Sequence, residues 1–167
     1  MSRAFVKESD DDHSAGELPE RPLSAHVNYV TQTGLELLQA RVRELDELHE
    51  QLKPQSVEDS EARQKLREVE RDLRYFRSQL ETATVVDTAN QPRDQVHFGA
   101  TVDIEDEEGL AQQFSIVGDD EADVASGKIS WASPLAHAMI GAKVGDTVIW
   151  RRPAGEAEVH IVGVRYT

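Results

Sequence analysis

The chain of 167 residues contains no cysteine. That excludes a disulfide scaffold, a thiol nucleophile and thiolate metal sites. Aromatic residues make up only 5% of it, too few for a deep aromatic-lined pocket of the kind a prolyl isomerase needs. No run of about 18 apolar residues occurs, so no membrane-spanning helix is expected. The opening MSRAFVKESDDDH lacks the apolar core of a secretory signal, which predicts a cytoplasmic protein. Basic residues are also scarce: 18 Lys and Arg against 32 Asp and Glu leave a formal charge of −14. A free-standing nucleic-acid binder needs a basic face to neutralise phosphates, so binding to free DNA or RNA is not expected.

What is present is organised. Residues 100–127 hold nine acids and no Lys or Arg, within a stretch that otherwise alternates like strands. Such a run is either a solvated face or an electrostatic attractant for a basic protein partner. Residues 1–31 are polar, without sustained period, and carry Asp10-Asp11-Asp12, Gly16, Pro19 and Pro22; they read as a flexible arm. From Gly34 a heptad seam begins: Leu35, Leu38, Val42 and Leu45, continuing through His49 to Leu52. Lys53-Pro54-Gln55 interrupts it, because proline disfavours helical geometry at the preceding residue. Ser56 followed by Asp59 reads as the cap of a second helix. Leu66, Val69, Leu73, Phe76, Leu80 and Ala83 then form a second seam. Two seams joined by a short turn predict an antiparallel coiled-coil hairpin over residues 32–83, with helices at about 33–53 and 56–83.

Residues 84–95 read as a linker and residues 96–167 as a compact domain. In that domain strands are expected at 100–105, 110–117, 128–132, 147–151 and 156–166, with a short helix at 134–140 that has Ser133 as its cap and Pro134 in its first turn. The fold class is α+β: a helical hairpin followed by an antiparallel sheet with one short helix.

Several constellations carry possible chemistry. Glu58, Asp59 and Glu61 lie at the hairpin tip. Acids in the first turn of a helix complement its dipole; they are also the residue type that reaches a divalent metal. His49 on the seam reads as a polar register device. Ser133 and His137 stand four apart but have no orienting acid, so no nucleophilic site is expected there. The cations Arg63, Lys65, Arg67, Arg71, Arg74 and Arg77 share the second helix with seven acids, the composition of a salt-bridged, solvated face. Trp131 and Trp150 read as residues packing the core or its edge.

The run Val117-Gly118-Asp119-Asp120-Glu121-Ala122-Asp123, then Gly127-Lys128-Ile129-Ser130, then Ser130-Trp131-Ala132-Ser133-Pro134-Leu135-Ala136 leading through Met139-Ile140 to Gly145-Asp146, resembles the C-terminal signature of the bacterial Gre transcript-cleavage and elongation factors. Val164-Arg165-Tyr166 fits as well. Met1-Ser2-Arg3-Ala4-Phe5-Val6-Lys7-Glu8 and Asn28-Tyr29-Val30-Thr31 resemble the GreB-type branch. The resemblance implies a coiled coil on an FKBP-like domain that grips RNA polymerase at the rim of its secondary channel. It implies that Ser133, Pro134 and Leu135 form the gripping knob, with Asp119, Asp120 and Glu121 as further partner contacts. It also implies that acids at the coiled-coil tip help hold the polymerase's Mg²⁺, the only cofactor expected and not one of this chain's own.

The family's tip motif, D-x-S-E-N-A-acid-Tyr, is missing. The tip reads Leu52-Lys53-Pro54-Gln55-Ser56-Val57-Glu58-Asp59-Ser60-Glu61-Ala62-Arg63. The first helix plus tip is also shorter by about a dozen residues, on the order of 9 Å of lost reach per arm. The expectation is a monomeric polymerase-binding regulator of elongation without intrinsic enzymatic activity and without efficient transcript cleavage. The alternative is a true cleavage factor using Glu58, Asp59 and Glu61. A distant third is a peptidyl-prolyl isomerase or chaperone-like module.

Overall fold

A computed structural model describes residues 18–167; the opening Met1–Glu8 resemblance and most of the proposed arm lie outside them. The elements run β1 (Tyr29–Val30), α1 (Gln32–Gln55), α2 (Ser60–Thr82), β2 (Thr84–Val85), β3 (Thr101–Asp106), β4 (Ala111–Val117), β5 (Lys128–Ser130), α3 (Pro134–Met139), β6 (Thr147–Arg152) and β7 (Gly155–Arg165).

The two long helices form the hairpin. Leu45, Val69 and Leu73 are its buried centre, flanked by Val42, Leu48, Leu52 and Phe76. These are the seam positions, with Leu48 added. His49 sits across the seam from Glu70, its Nε2 3.2 Å from the carboxylate, a polar cross-link that specifies which residues of the two helices face one another.

Two boundaries differ from expectation, for one reason. Pro54 lies inside α1 rather than ending it. In a last turn the missing proline N–H costs a single bond, and the helix end beyond it is closed by Ser56, whose N–H donates to Leu52 O at 2.9 Å and whose Oγ donates to Lys53 O at 2.7 Å. Ser56 therefore caps the end of α1, not the start of α2. Asp59 starts α2, its Oδ1 accepting from Glu61 N–H at 2.9 Å.

Within the segment read as a flexible arm, Glu20, Arg21 and residues 28–31 contact the rest of the chain, whereas residues 22–27 are exposed. Tyr29–Val30 pairs in parallel with Thr84–Val85, so the chain entering the hairpin and the chain leaving it form a ribbon at its base. The Tyr29 ring lies 5.1 Å from Trp131 and 6.0 Å from Phe98. Upstream, the Arg21 guanidinium stacks 3.9 Å from the Tyr75 ring centre, and Glu20 pairs with Arg74 at 2.6 Å. Aromatic faces and complementary charges hold the segment along α2, information its low hydrophobicity does not advertise.

The C-terminal sheet has the order β5-β4-β3-β7-β6. It is antiparallel throughout except between β4 and β5, which run parallel. An entirely antiparallel sheet was expected. The difference arises because the acidic loop and a single 3₁₀ turn (Val124–Ser126) carry the chain back before β5 begins. Val102, Ile104, Ile116, Val159 and Ile161 point to one face, where Leu135, Ala136 and Met139 of α3 close the core. Trp131 and Trp150 pack at its edge.

Candidate functional site

The hairpin tip presents Glu58, Asp59 and Glu61, all exposed. Their geometry is that of a helix start. Asp59 spends one carboxylate oxygen on the Glu61 amide, satisfying a donor that helix geometry leaves unpaired. Arg63 folds back to donate to Ser56 O and Val57 O, each at 3.1 Å, which ties down the loop backbone. Val57 is 73% exposed at the apex. Mg²⁺ demands near-octahedral oxygen coordination, and among the described residues no group of three or more His, Asp or Glu is disposed to hold a metal. Glu58 and Glu61 fit only as additions to ligands supplied by another molecule.

The first turn of α3 holds the proposed gripping residues. Ser133 Oγ accepts from Ala136 N–H at 3.4 Å and Pro134 occupies the first turn, as expected. Pro134 is exposed. Leu135 is not: it retains 4% exposure inside the sheet–helix core. An apolar knob formed by all three residues is therefore corrected. One helical turn apart on the exposed face stand Pro134, His137 and Ile140, because the 3.6-residue period that sends Leu135 and Met139 inward sends these outward. Ser133 Oγ has the Ala136 amide as its partner, and Ser133 meets His137 through the backbone, its carbonyl accepting from the His137 N–H at 2.9 Å.

The acidic loop after β4 departs furthest from expectation. Asp119 accepts from Ser130 Oγ, which anchors the loop to its own domain. Asp120 accepts from Tyr75 OH at 2.8 Å and from Gln79 Nε2 at 2.7 Å, both on α2. Glu121 accepts from Thr31 Oγ1 at 2.5 Å and lies 3.8 Å from Lys128 Nζ. Thr31 is the cap of α1, its oxygen accepting from Gly34 N–H at 2.9 Å; the hydroxyl therefore serves helix and loop together. Asp120 and Glu121 are thus not free partner contacts. Their partners are hydroxyls, an amide and the Lys128 ammonium of this same chain.

Two glycines permit this contact. A Cβ on Gly118 would come 2.4 Å from Tyr29 O, and one on Gly34 would come 2.9 Å from the Glu121 carboxylate. Tyr75 feels the loop most. Burial, followed by the hydrogen bond and charge of Asp120, pushes its phenol up to about 12.

Sequence reasoning missed Tyr75, Gln79 and Asn28, whose Nδ2 donates to Gln79 O at 2.7 Å. A signal existed. Tyr75 and Gln79 lie four apart, off the seam, so they share a second helix face; an aromatic on a supposedly solvated face marks a contact. Of the cations of α2, Lys65 and Arg71 pair with acids of the same helix, Glu68 and Asp72, whereas Arg74 and Arg77 pair with Glu20 and with Asp46 of α1.

Rod, clamp and base define an α+β protein in which an antiparallel helical hairpin stands on a sheet domain. Residues 91–166 match the family model described as transcription elongation factor, GreA/GreB, C-term. GreA of Pseudomonas aeruginosa is 39% identical over 143 residues, covering 84% of this chain and 87% of that protein. GreB of Neisseria meningitidis serogroup B is 44% identical over 105 residues, or 62% of this chain, and the match spans 64% of that relative's length. A solved structure of a prokaryotic GreA/GreB elongation factor from Nitrosomonas europaea aligns over 83% of this chain and 98% of its own at 24% identity, with a TM-score of 0.41. The chain belongs to the GreA/GreB transcription elongation factor family.

Proposed function

We propose that this protein is a cytoplasmic, monomeric Gre-type regulator that docks on bacterial RNA polymerase at the secondary channel and modulates elongation without efficient transcript cleavage. The observation that carries the second half is the tip. Its central acid, Asp59, is used to start α2, its apex is the apolar Val57, and the family's tip motif is absent. Cleavage in the family depends on carboxylates completing the coordination of an ion that activates water. Two loosely placed glutamates on a shortened rod do not supply that. No enzymatic activity of the chain's own and no affinity for free nucleic acid belong to this reading; the charge of −14 opposes the latter.

Docking is assigned to the exposed face of α3, where Pro134, His137 and Ile140 stand on a rigid, capped helix start. Rigid surfaces bind at low entropic cost. Asp119 remains a secondary candidate, since it is exposed beside that helix's approach.

The second reading, a true cleavage factor acting through Glu58 and Glu61, is favoured only by their exposure. The two separate in one assay. The protein is added to a stalled, backtracked polymerase complex and transcript length is followed. Binding without shortening supports the proposal. Shortening that disappears in a Glu58→Ala, Glu61→Ala variant replaces it with the second reading. In parallel, Pro134→Asp is expected to remove co-purification with polymerase while leaving the thermal melt within a few degrees of wild type, because an exposed substitution costs about 0.5 kcal/mol or less. Retained co-purification would move the contact elsewhere.

A further inference from the structure

We propose that the acidic loop after β4 is a positioning device for the hairpin, with Asp120 as the residue that fixes the direction in which the rod leaves the sheet domain.

Three consecutive acids do three separate things. Asp119 ties the loop to Ser130 of its own domain. Asp120 reaches Tyr75 and Gln79 on α2. Glu121 reaches the Thr31 cap of α1, with a side chain that is 6% exposed. One loop, anchored in the globular domain, therefore holds both helices of the hairpin. Gln79 is the one buried polar residue among those described, at 6% exposure. Its side-chain NH₂ donates to Asp120, and its backbone carbonyl accepts from Asn28. A buried amide that loses its partner is costly, so the contact is held in one geometry. The β1–β2 ribbon, two residues on each strand, and Tyr29 packed on Phe98 and Trp131 hold the base; Glu121 adds a contact to the cap of α1, and Asp120 is the loop's hold on α2.

Direction matters because the rod is a lever. An α-helix of 24 residues, the length of α1, is about 36 Å long, so a pivot of about 10° at the base moves the tip by about 6 Å. A displacement of that size decides whether a narrow channel admits the rod. It leaves the exposed face of α3 unchanged. Loss of the clamp is thus expected to separate docking from insertion. This functional consequence rests on the polymerase reading above; the clamp itself does not.

The test uses the full chain. Because the chain contains no cysteine, Glu47→Cys on α1 and Ile149→Cys on β6 create the only two sites for spin labels, and pulsed dipolar spectroscopy reads the distance between them. A single narrow distribution is expected for the parent. Asp120→Asn is expected to keep it narrow: its amide oxygen still accepts from Tyr75, and its NH₂ donates to Gln79 once that amide is turned round. Asp120→Ala is expected to broaden it, and Tyr75→Phe, which removes one hydroxyl and preserves packing, to broaden it partially. With polymerase, Asp120→Ala is expected to co-purify like the parent but to lose about tenfold in competition against another protein occupying the channel.

Unchanged narrow distances in both Asp120→Ala and Tyr75→Phe would overturn the clamp. Broadened distances with undiminished competition would overturn its positioning role. If the parent itself fails to bind polymerase, the proposed function fails on its own, and the distance distributions still decide whether Asp120 sets the rod.

Discussion

Tyr75 shows how a residue outside every sequence motif comes to matter. It lies beside the seam position Phe76, so heptad counting assigns it to solvent. Its phenol instead donates to Asp120 and lies under Arg21. The consequence is measurable through pH. Burial, then the Asp120 hydrogen bond and charge, raises its pKa from 10.0 to about 12. A group whose folded pKa lies above its unfolded value contributes stability fully present below the unfolded pKa, here 10.0, and that contribution is lost as pH rises through about 12. Phenolate absorbance of the folded protein should therefore show a late transition that is missing in Tyr75→Phe. Tyr166 is also raised, chiefly by burial, so the difference between parent and variant isolates Tyr75. Chemical denaturation should show a fall in stability between pH 10 and 12 that is smaller in the variant. Equal falls would mean that Tyr75 ionises as freely folded as unfolded.

Leu135 teaches the opposite lesson. Its motif was legible, its exposure was not. A signature records that residues recur together, whereas helical phase decides which of them face outward; Pro134 and Leu135 are neighbours in sequence and about 100° apart around the helix.

Among the elements, those with strong internal periodicity were read almost correctly. The seams of α1 and α2 place Leu38, Leu45, Val69 and Leu73 in the buried set, and the strands of the sheet domain fall within a few residues of expectation. What escaped was set by competition between local signals or by tertiary contact. Pro54 and Ser56 each favoured a break before α2, yet the seam continuing to Leu52 outweighs one missing hydrogen bond. The parallel β4–β5 pair depends on how a loop returns, which alternation cannot encode. The β1–β2 ribbon joins segments more than fifty residues apart, with only two residues on each side; no local pattern of that length is distinctive.

The tip assignment carries its own prediction. If Asp59 is a cap and not a catalytic ligand, Asp59→Ala should lower stability by about 0.5–2 kcal/mol, and Glu58→Ala by no more than about 0.5 kcal/mol. Urea denaturation reads both. Amide hydrogen exchange should show the loss localised at Glu61, whose N–H the Asp59 carboxylate accepts. Equal effects of the two substitutions would remove the distinction between a capping acid and free acids, and with it the main argument against a metal-directed tip.

At the scale of the whole molecule, the proposed function depends on where the rod ends. Its direction is fixed at the base and its length by the number of heptads, so the two are separable by design. The clamp residues Tyr75, Gln79 and Asp120 and the cap Thr31 all lie at the base; inserting one heptad per arm on the tip side of the Leu45–Val69–Leu73 cluster leaves them untouched. Such an insertion preserves the phase of the seam and advances the tip by about 10 Å. Two defects distinguish this hairpin from a cleaving one in the resemblance that its sequence carries: the missing tip motif and the missing length. If both matter, grafting the D-x-S-E-N-A-acid-Tyr tip onto the native hairpin should leave a backtracked transcript intact, while the same graft on the extended hairpin should shorten it. Reach is the stricter requirement, because a metal ligand must approach within about 2–2.5 Å of the ion, and a carboxylate several ångströms short contributes almost nothing. The extended graft carrying Asp120→Ala should again fail, since a pivoting rod loses in aim what it gained in length. Cleavage by the native-length graft equal to that of the extended one would show that length is not limiting, and that the chemistry of the tip alone sets this protein apart.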